Sequence, residues 1–146
     1  AGLRILRAHG VTRALINGGG DIAAMSGDAR PWRIGIREPR TAALAGFIEL
    51  TDGYVASSGD YERFFMHRGR RYHHILDPRT GYPTTDMQHV SVVGRELTAV
   101  NGLSAALMVL GPTRAQAWIA DTPGVSAYFV DHDGRRWASP DFRLRQ

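Results

Sequence analysis

Apolar and polar positions alternate with a period of two over much of this chain, and turn-forming residues interrupt the alternation at short intervals. Trp32 to Arg37 (WRIGIR) alternates as a strand, and Arg13 to Ile16 is a shorter one that runs into Asn17-Gly18-Gly19-Gly20-Asp21 and then a polar loop. Gly46 to Leu50 and Tyr54 to Ser58 flank Thr51-Asp52-Gly53, and an Asp-Gly pair between two such runs predicts a hairpin. Arg63 to Met66 and Arg71 to Ile75 predict a second hairpin, turning at His67-Arg68-Gly69-Arg70. A third joins Ser126 to Val130 with Arg135 to Ala138 through Asp131-His132-Asp133-Gly134, and His89 to Val93 is a further strand. The period changes to that of a helix in three places. Ala1 to His9 carries Leu3, Ile5 and Leu6 and stops before Gly10. Leu97 to Leu110 places Leu97, Val100, Leu103, Ala106, Leu107 and Leu110 on one side and stops at Gly111-Pro112, and Arg114 to Ala120 follows. The expectation is a mixed α+β fold, a largely antiparallel sheet with helices packed on one side, forming a single domain over residues 1–146 without repeats or linkers.

Composition narrows the chemistry. A chain of 146 residues with 43% hydrophobic and 22% charged residues is sized for one core. With no cysteine, thiolate catalysis, disulfides and Cys-ligated metals are excluded, while the redox compartment is left open. Lysine is also absent, so all 18 basic residues are arginine, which excludes a P-loop of the GK[ST] type and any Schiff-base lysine. A net charge of +4 is compatible with phosphate binding. Only Arg68, Arg70 and Arg71 cluster, at a hairpin turn, so nucleic acid is not an expected partner. No apolar run approaches the roughly 20 residues that span a bilayer, and no targeting segment opens the chain.

Three constellations carry candidate chemistry. The NGGGD run lets backbone approach a ligand, with Asp21 accepting from a ribose or from the loop's own N–H groups; a tight turn explains it equally. Ser57-Ser58-Gly59-Asp60-Tyr61 ends a strand with hydroxyls and a carboxylate, suited to a polar ligand or to a Ser/Asp turn. Tyr72 to Pro83 (YHHILDPRTGYP) sets adjacent histidines before an Asp-Pro-x-Thr-Gly turn. On a strand His73 and His74 face opposite ways and do not share one metal ion, so one imidazole near Asp77 suits proton transfer, or is simply tied into the turn.

Taken in order, NGGGDI at 17–22, PWRIGIREPR at 31–40, SSGDYERFF at 57–65 and HHILDPRTGYP at 73–83 resemble the ApbE family of FAD:protein FMN transferases, with SVV at 91–93 and MVLGP at 108–112 in matching positions. The resemblance implies a T-fold-like half domain, the family's N-terminal portion being absent from this sequence. It implies a magnesium-dependent enzyme that moves FMN from FAD to a Ser or Thr of an acceptor flavoprotein and releases AMP. Within it, His74 matches the proposed proton acceptor and Ile75 a flavin-contacting position, while Gly19, Gly20, Asp21, Ser58, Gly59, Asp77, Thr80 and Gly81 match motif positions lining the site. The resemblance further implies a periplasmic or inner-membrane-anchored lipoprotein, although this chain carries no such signal.

The chain departs from the family where a helix usually reads ADALATAL. Here VNGLSAAL puts Asn101 and Ala105 at the two metal-ligand positions. Asn101 keeps an amide oxygen but no charge, and Ala105 offers no ligand, whereas Mg²⁺ favours carboxylates and other hard oxygens. On a continuous helix the two share one face, with Ser104 turned away. A non-catalytic flavin-binding or partner-binding subunit is therefore the rival reading. A half domain is also expected to expose apolar surface that a second chain or copy completes.

Overall fold

Gly19 and Gly20 set the first turn of the sheet. Both lie at positive φ, 76° and 108°, and the register Gly18↔Asp21 leaves only these two as the loop, a backbone that glycine adopts without steric cost. The computed structural model describes residues 2–146, so Ala1 of the expected first helix lies outside the described residues. After α1 (Gly2–Ala8), β1 (Arg13–Gly18) therefore turns straight back into β2 (Asp21–Ser26). The segment expected as a polar loop after NGGGD is this second strand, whose Ala24 and Met25 are buried.

Next come β3 (Trp32–Arg37), β4 (Leu44–Leu50), β5 (Gly53–Gly59), β6 (Phe64–His67), β7 (Arg70–His73) and β8 (Met87–Gly94). The chain continues through α2 (Leu97–Val100), α3 (Leu103–Leu110) and α4 (Pro112–Ala120), and closes with β9 (Val125–Asp131) and β10 (Arg136–Ala138). Six strands form one sheet in the order β1-β2-β5-β8-β9-β10, and every neighbouring pair is antiparallel. The fold is α+β with a largely antiparallel sheet, as expected.

Two expectations are corrected. β4 does not pair with β5 across Thr51-Asp52: it pairs with β3 as a separate two-stranded sheet, and β5 pairs with β2 and β8. The Asp-Gly signal marks a real reversal, but one that carries the chain from one layer into another. The helix expected over Leu97 to Leu110 is broken. Asn101 ends α2 with extended ψ of 125°, and Gly102 stands at φ 75° as the start of α3.

Alternation along the central strands builds a core on each face of the sheet. Val90, Val92, Ala127 and Phe129 meet Leu107, Met108, Ala115 and Ile119 from the helices. On the opposite face Val55, Tyr128 and Val130 meet Ile34, Ile36, Ile48 and Leu50 of the β3–β4 hairpin, with Phe142. Covered on both sides, β8 is buried at nearly every residue, as a central strand between two layers must be. Helices do pack on one side; the hairpin covering the other is the part that periodicity did not reveal. Among the described residues no helix is long and apolar enough to cross a membrane.

Candidate functional site

Strand register brings several of the singled-out residues to one end of the sheet. Ile22 pairs with Val55 in antiparallel sense, so continuing that register sets the Gly19–Gly20 tip beside the Ser57–Ser58 end of β5. Ser58 turns toward the helices, where its Oγ lies 2.9 Å from Ser104 Oγ on α3. Ser104 is buried. Thus Ser104, expected to turn away on a continuous helix, is the α3 side chain joined to a candidate residue, because the break at Gly102 resets the helix direction.

At the glycine tip the loop's own needs are met locally: Gly20 N–H donates to Asn17 Oδ1 at 2.9 Å. Asp21 is not the residue that satisfies it, and among the described residues its exposed carboxylate receives no side-chain hydrogen bond. Gly59 has a packing reason, since a Cβ there would collide with the Tyr61 ring.

The two histidines separate. His73 ends β7 and is buried, and both ring nitrogens are engaged by backbone: Nε2–H donates to the Thr84 carbonyl at 2.8 Å and Nδ1 accepts from Ile75 N–H at 3.3 Å. This ring ties the strand end to the far side of the DPRTGYP loop. His74 is exposed, with its backbone N–H donating to the Arg63 carbonyl at 3.2 Å, and Ile75 is buried in the helical core. The strand expected to reach Ile75 stops at His73. What pins the peptide around His74 is therefore the His73 ring and the bonds of Ile75, leaving the His74 imidazole on the surface.

Asp77, Thr80 and Gly81 lie in the loop itself. Asp77 N–H donates to Tyr82 O, and the Asp77 carbonyl accepts from both Thr80 N–H and Gly81 N–H. Gly81 stands at φ 71°. The Asp77 carboxylate is taken by Arg79, through its backbone N–H, Nε at 2.9 Å and Nη2 at 2.6 Å. Those bonds hold its pKa down at about 2. Asp77 is thus committed to Arg79 and does not orient His74. Asp77, Arg79, Thr80, Thr84 and Asp86 line a polar cavity of ≈ 380 Å³.

A polar chain that sequence reasoning passed over runs on the opposite face of the sheet. Tyr61 OH lies 2.7 Å from His89 Nδ1, His89 Nε2 lies 2.8 Å from Ser91 Oγ, and Ser91 Oγ lies 2.8 Å from Ser57 Oγ. Burial lowers the His89 pKa to about 4, against a smaller opposing pull from Asp60, so the ring is neutral near pH 7. Burial raises Tyr61 to about 12, so its hydroxyl keeps its proton and donates. Beside them buried Asp60 holds Arg40 in a two-pronged pair at 2.6 and 2.7 Å. The signal for this network was present: His89 and Ser91, two apart on β8, put polar groups on one face of a strand whose other face is Val90 and Val92, and Ser57 pairs with Ser91 from β5.

The metal position fails a test of fit. Asn101 is exposed at the end of α2, Ala105 contributes a methyl group, and Ser104 is already bonded to Ser58. Among the described residues no three His, Asp or Glu side chains gather as metal ligands. A hard divalent cation favours several oxygens, including carboxylates, and this donor set does not supply them.

Comparison with known proteins agrees with the fold and the motifs. The family model described as "ApbE family" matches residues 1–129. The FAD:protein FMN transferase of Treponema pallidum is 39% identical over 150 residues, covering 94% of this chain and 41% of that protein. The ApbE protein of Thermotoga maritima superposes with a TM-score of 0.82 at 34% identity, over 92% of this chain and 45% of that one. The apo flavinyl transferase ApbE of Pseudomonas stutzeri gives 0.76 at 37% identity, over 96% and 45%. The chain spans less than half the length of the relatives it matches, yet nearly all of it lies within their fold, and it belongs to the ApbE family.

Proposed function

We propose that this chain is the part of an FAD:protein FMN transferase that carries the proton acceptor for the incoming hydroxyl. The observation behind this reading is the division of labour at the histidine pair: His73 is spent on two backbone bonds, while His74 is exposed on a peptide held on both sides. That the similar Treponema protein bears the transferase name supports the assignment of chemistry. In the proposed step a Ser or Thr oxygen of the acceptor flavoprotein attacks the FMN phosphorus of FAD. The bond from that phosphorus to the bridging oxygen breaks, AMP leaves with that oxygen, and the hydroxyl proton passes to the His74 imidazole. Phosphoryl transfer depends mainly on positioning and charge stabilisation. On this chain the free N–H groups at the start of α3, beside Ser104 and Ser58, would meet an anionic ligand, and the Gly19–Gly20 tip lets backbone approach it closely. Magnesium, which the resemblance implies, would need ligands beyond those of this chain, so no step is drawn through it. Periplasmic residence and completion of the domain by further polypeptide belong to the same reading.

The test is incubation of the full chain with FAD and a threonine-bearing acceptor, following FMN mass on the acceptor and release of AMP. His74→Asn should abolish transfer and leave FAD affinity within about twofold; transfer that persists in the variant overturns the reading. A second reading, a flavin-binding or partner-binding subunit without transfer, is favoured by one observation, the depleted ligand set, with no charge at Asn101 and no ligand oxygen at Ala105. FAD binding by calorimetry that is indifferent to Mg²⁺ and followed by no turnover would establish it instead.

A further inference from the structure

His74 shares its side of the backbone with an unusual surface. From Tyr72 onward burial alternates residue by residue: Tyr72 half-buried, His73 buried, His74 exposed, Ile75 buried, Leu76 exposed. β7 ends at His73, but the burial pattern continues past it, so Tyr72, His74 and Leu76 lie on the outer side of the chain while His73 and Ile75 face inward. Register across the β6–β7 pair sets Phe65 opposite Tyr72 and His67 opposite Arg70, which adds these to the same face.

The face is aromatic and cationic. The Phe65 and Tyr72 rings stack at 5.1 Å and 7°, and the Arg70 guanidinium lies 5.4 Å over Tyr72 and 5.9 Å over Tyr82. Phe65 is 64% exposed, Tyr82 58% and Leu76 50%. Of the carboxylates nearby, Glu62 is engaged by Arg37, Asp60 by Arg40 and Arg71, and Asp77 by Arg79, while Asp86 lines the cavity it shares with Arg70 without forming an ion pair. Among the described residues Arg63, Arg68 and Arg70 therefore have no carboxylate within 4.0 Å. Such a face leaves apolar area and positive charge both unmatched, and does so around the exposed imidazoles of His74 and His67.

We propose that this face of the β6–β7 hairpin receives the acceptor protein, and that the segment laid across it is an extended, acidic stretch carrying the hydroxyl that His74 deprotonates. The inference rests on the reading of His74 given above and adds to it where the acceptor sits and what chemistry it presents. Charge complementarity selects an acidic partner, the flat aromatic stack supplies contact area at low ordering cost, and the alternation places His74 in the middle of the docked segment. Arginines beside aromatics also suit single-stranded nucleic acid, but three unmatched cations on one short hairpin make a small footprint for a phosphate chain.

The experiment is a titration of the ¹⁵N-labelled chain with a short synthetic peptide holding one threonine between aspartates and glutamates, with a lysine-substituted counterpart as control. FAD affinity is measured on the same samples. The expected result is shifts confined to residues 63–76 and Tyr82, seen with the acidic peptide only. Arg68→Glu with Arg70→Glu should weaken binding at least about tenfold, while Arg33→Glu on β3, in the separate β3–β4 sheet, leaves it unchanged. Arg68 is a turn residue with an exposed side chain, so the single Arg68→Glu protein, which keeps the fold, gives the same sign at smaller size. Equal response to both peptides, shifts outside this face, tighter binding of an oligothymidylate, or self-association abolished by Phe65→Ser would each overturn the proposal. Loss of peptide binding with FAD binding intact removes the docking surface alone. Peptide binding on this face without any FAD binding retains the surface and removes the transferase reading.

Discussion

Acidification should destabilise this fold through a single buried ring, His89. In the native state it accepts from Tyr61 and bonds to Ser91 as a neutral imidazole, with its pKa lowered by burial to about 4; the ordinary value is 6.5. Above pH 6.5 neither folded nor unfolded chains carry a proton here, and the full stability is present. Below it the unfolded chain binds a proton that the native one does not, so stability falls with pH until about pH 4, where the folded ring titrates as well. At about 1.4 kcal/mol per pH unit this gap corresponds to about 3 kcal/mol, a large fraction of the roughly 5–15 kcal/mol typical of a domain. The assay is urea unfolding followed by fluorescence of the three tryptophans between pH 7.5 and 4, comparing the native chain with His89→Gln. Glutamine can accept from Tyr61 and donate to Ser91 but does not titrate, so its curve should be flatter by close to one proton across the window. Asp77, held at about 2 by Arg79, titrates below that window and leaves the difference clean. Superimposable pH dependences for the two proteins would refute the reasoning.

Three further outcomes follow from the geometry. Gly19→Val and Gly20→Val each meet open space but a left-handed backbone, so each should cost about 1–2 kcal/mol in thermal unfolding; an unchanged Tm would mean the tip is not the tight two-residue turn seen here. Ser58→Ala and Ser104→Ala should be coupled by about 1 kcal/mol in a double-mutant cycle, and strict additivity would show that their hydroxyls do not meet in solution. Arg40→Leu strands a buried carboxylate and should cost about 1–3 kcal/mol, below the usual figure for a buried pair because Arg40 is 39% exposed and Arg71 remains near; adding Asp60→Asn should recover part of the loss.

How much of this was legible in the chain differs by element. The β6–β7 and β9–β10 hairpins were readable because their turns and their partners are adjacent in sequence, and so was the opposite facing of His73 and His74, although alternation does not tell which of the two is buried. The β3–β4 pairing was not readable, because Thr51-Asp52-Gly53 carries a strong local hairpin signal while the choice between layers is made by distant contacts, such as Phe47 pairing with Arg145 near the C-terminus. β2 was obscured by its own turn: three glycines drew attention as a ligand loop, and Ile22 to Met25 was too short and too small-residued to announce a strand. Apolar residues recur at helical spacing on both sides of Asn101-Gly102, so periodicity ran through the break unmarked, although Leu97 and Ala106 of the expected face are exposed and Ser104 and Met108 join Leu107 as the buried residues of α3.

The adjacent histidines show how one backbone makes unlike groups of identical residues. Composition does not distinguish His73 from His74; position does, since His73 is the last paired residue of β7 and faces the core while His74 follows the strand and faces out. A residue whose side chain faces the core must satisfy both ring nitrogens inside the protein, and the polar groups within reach of His73 are backbone, the Thr84 carbonyl and Ile75 N–H. Spending those bonds closes the DPRTGYP loop against the strand and fixes the peptide at the next position. The residue that follows then inherits a rigid mount and faces water, with its imidazole uncommitted. A general base needs both of these together, a defined position and a free nitrogen, and a single histidine at this strand end would have one without the other. Shifting the register of β7 by one residue would exchange the two faces, burying the base and exposing the clamp. The His73 clamp is therefore as necessary to the proposed chemistry as the ring that performs it, although it touches no substrate.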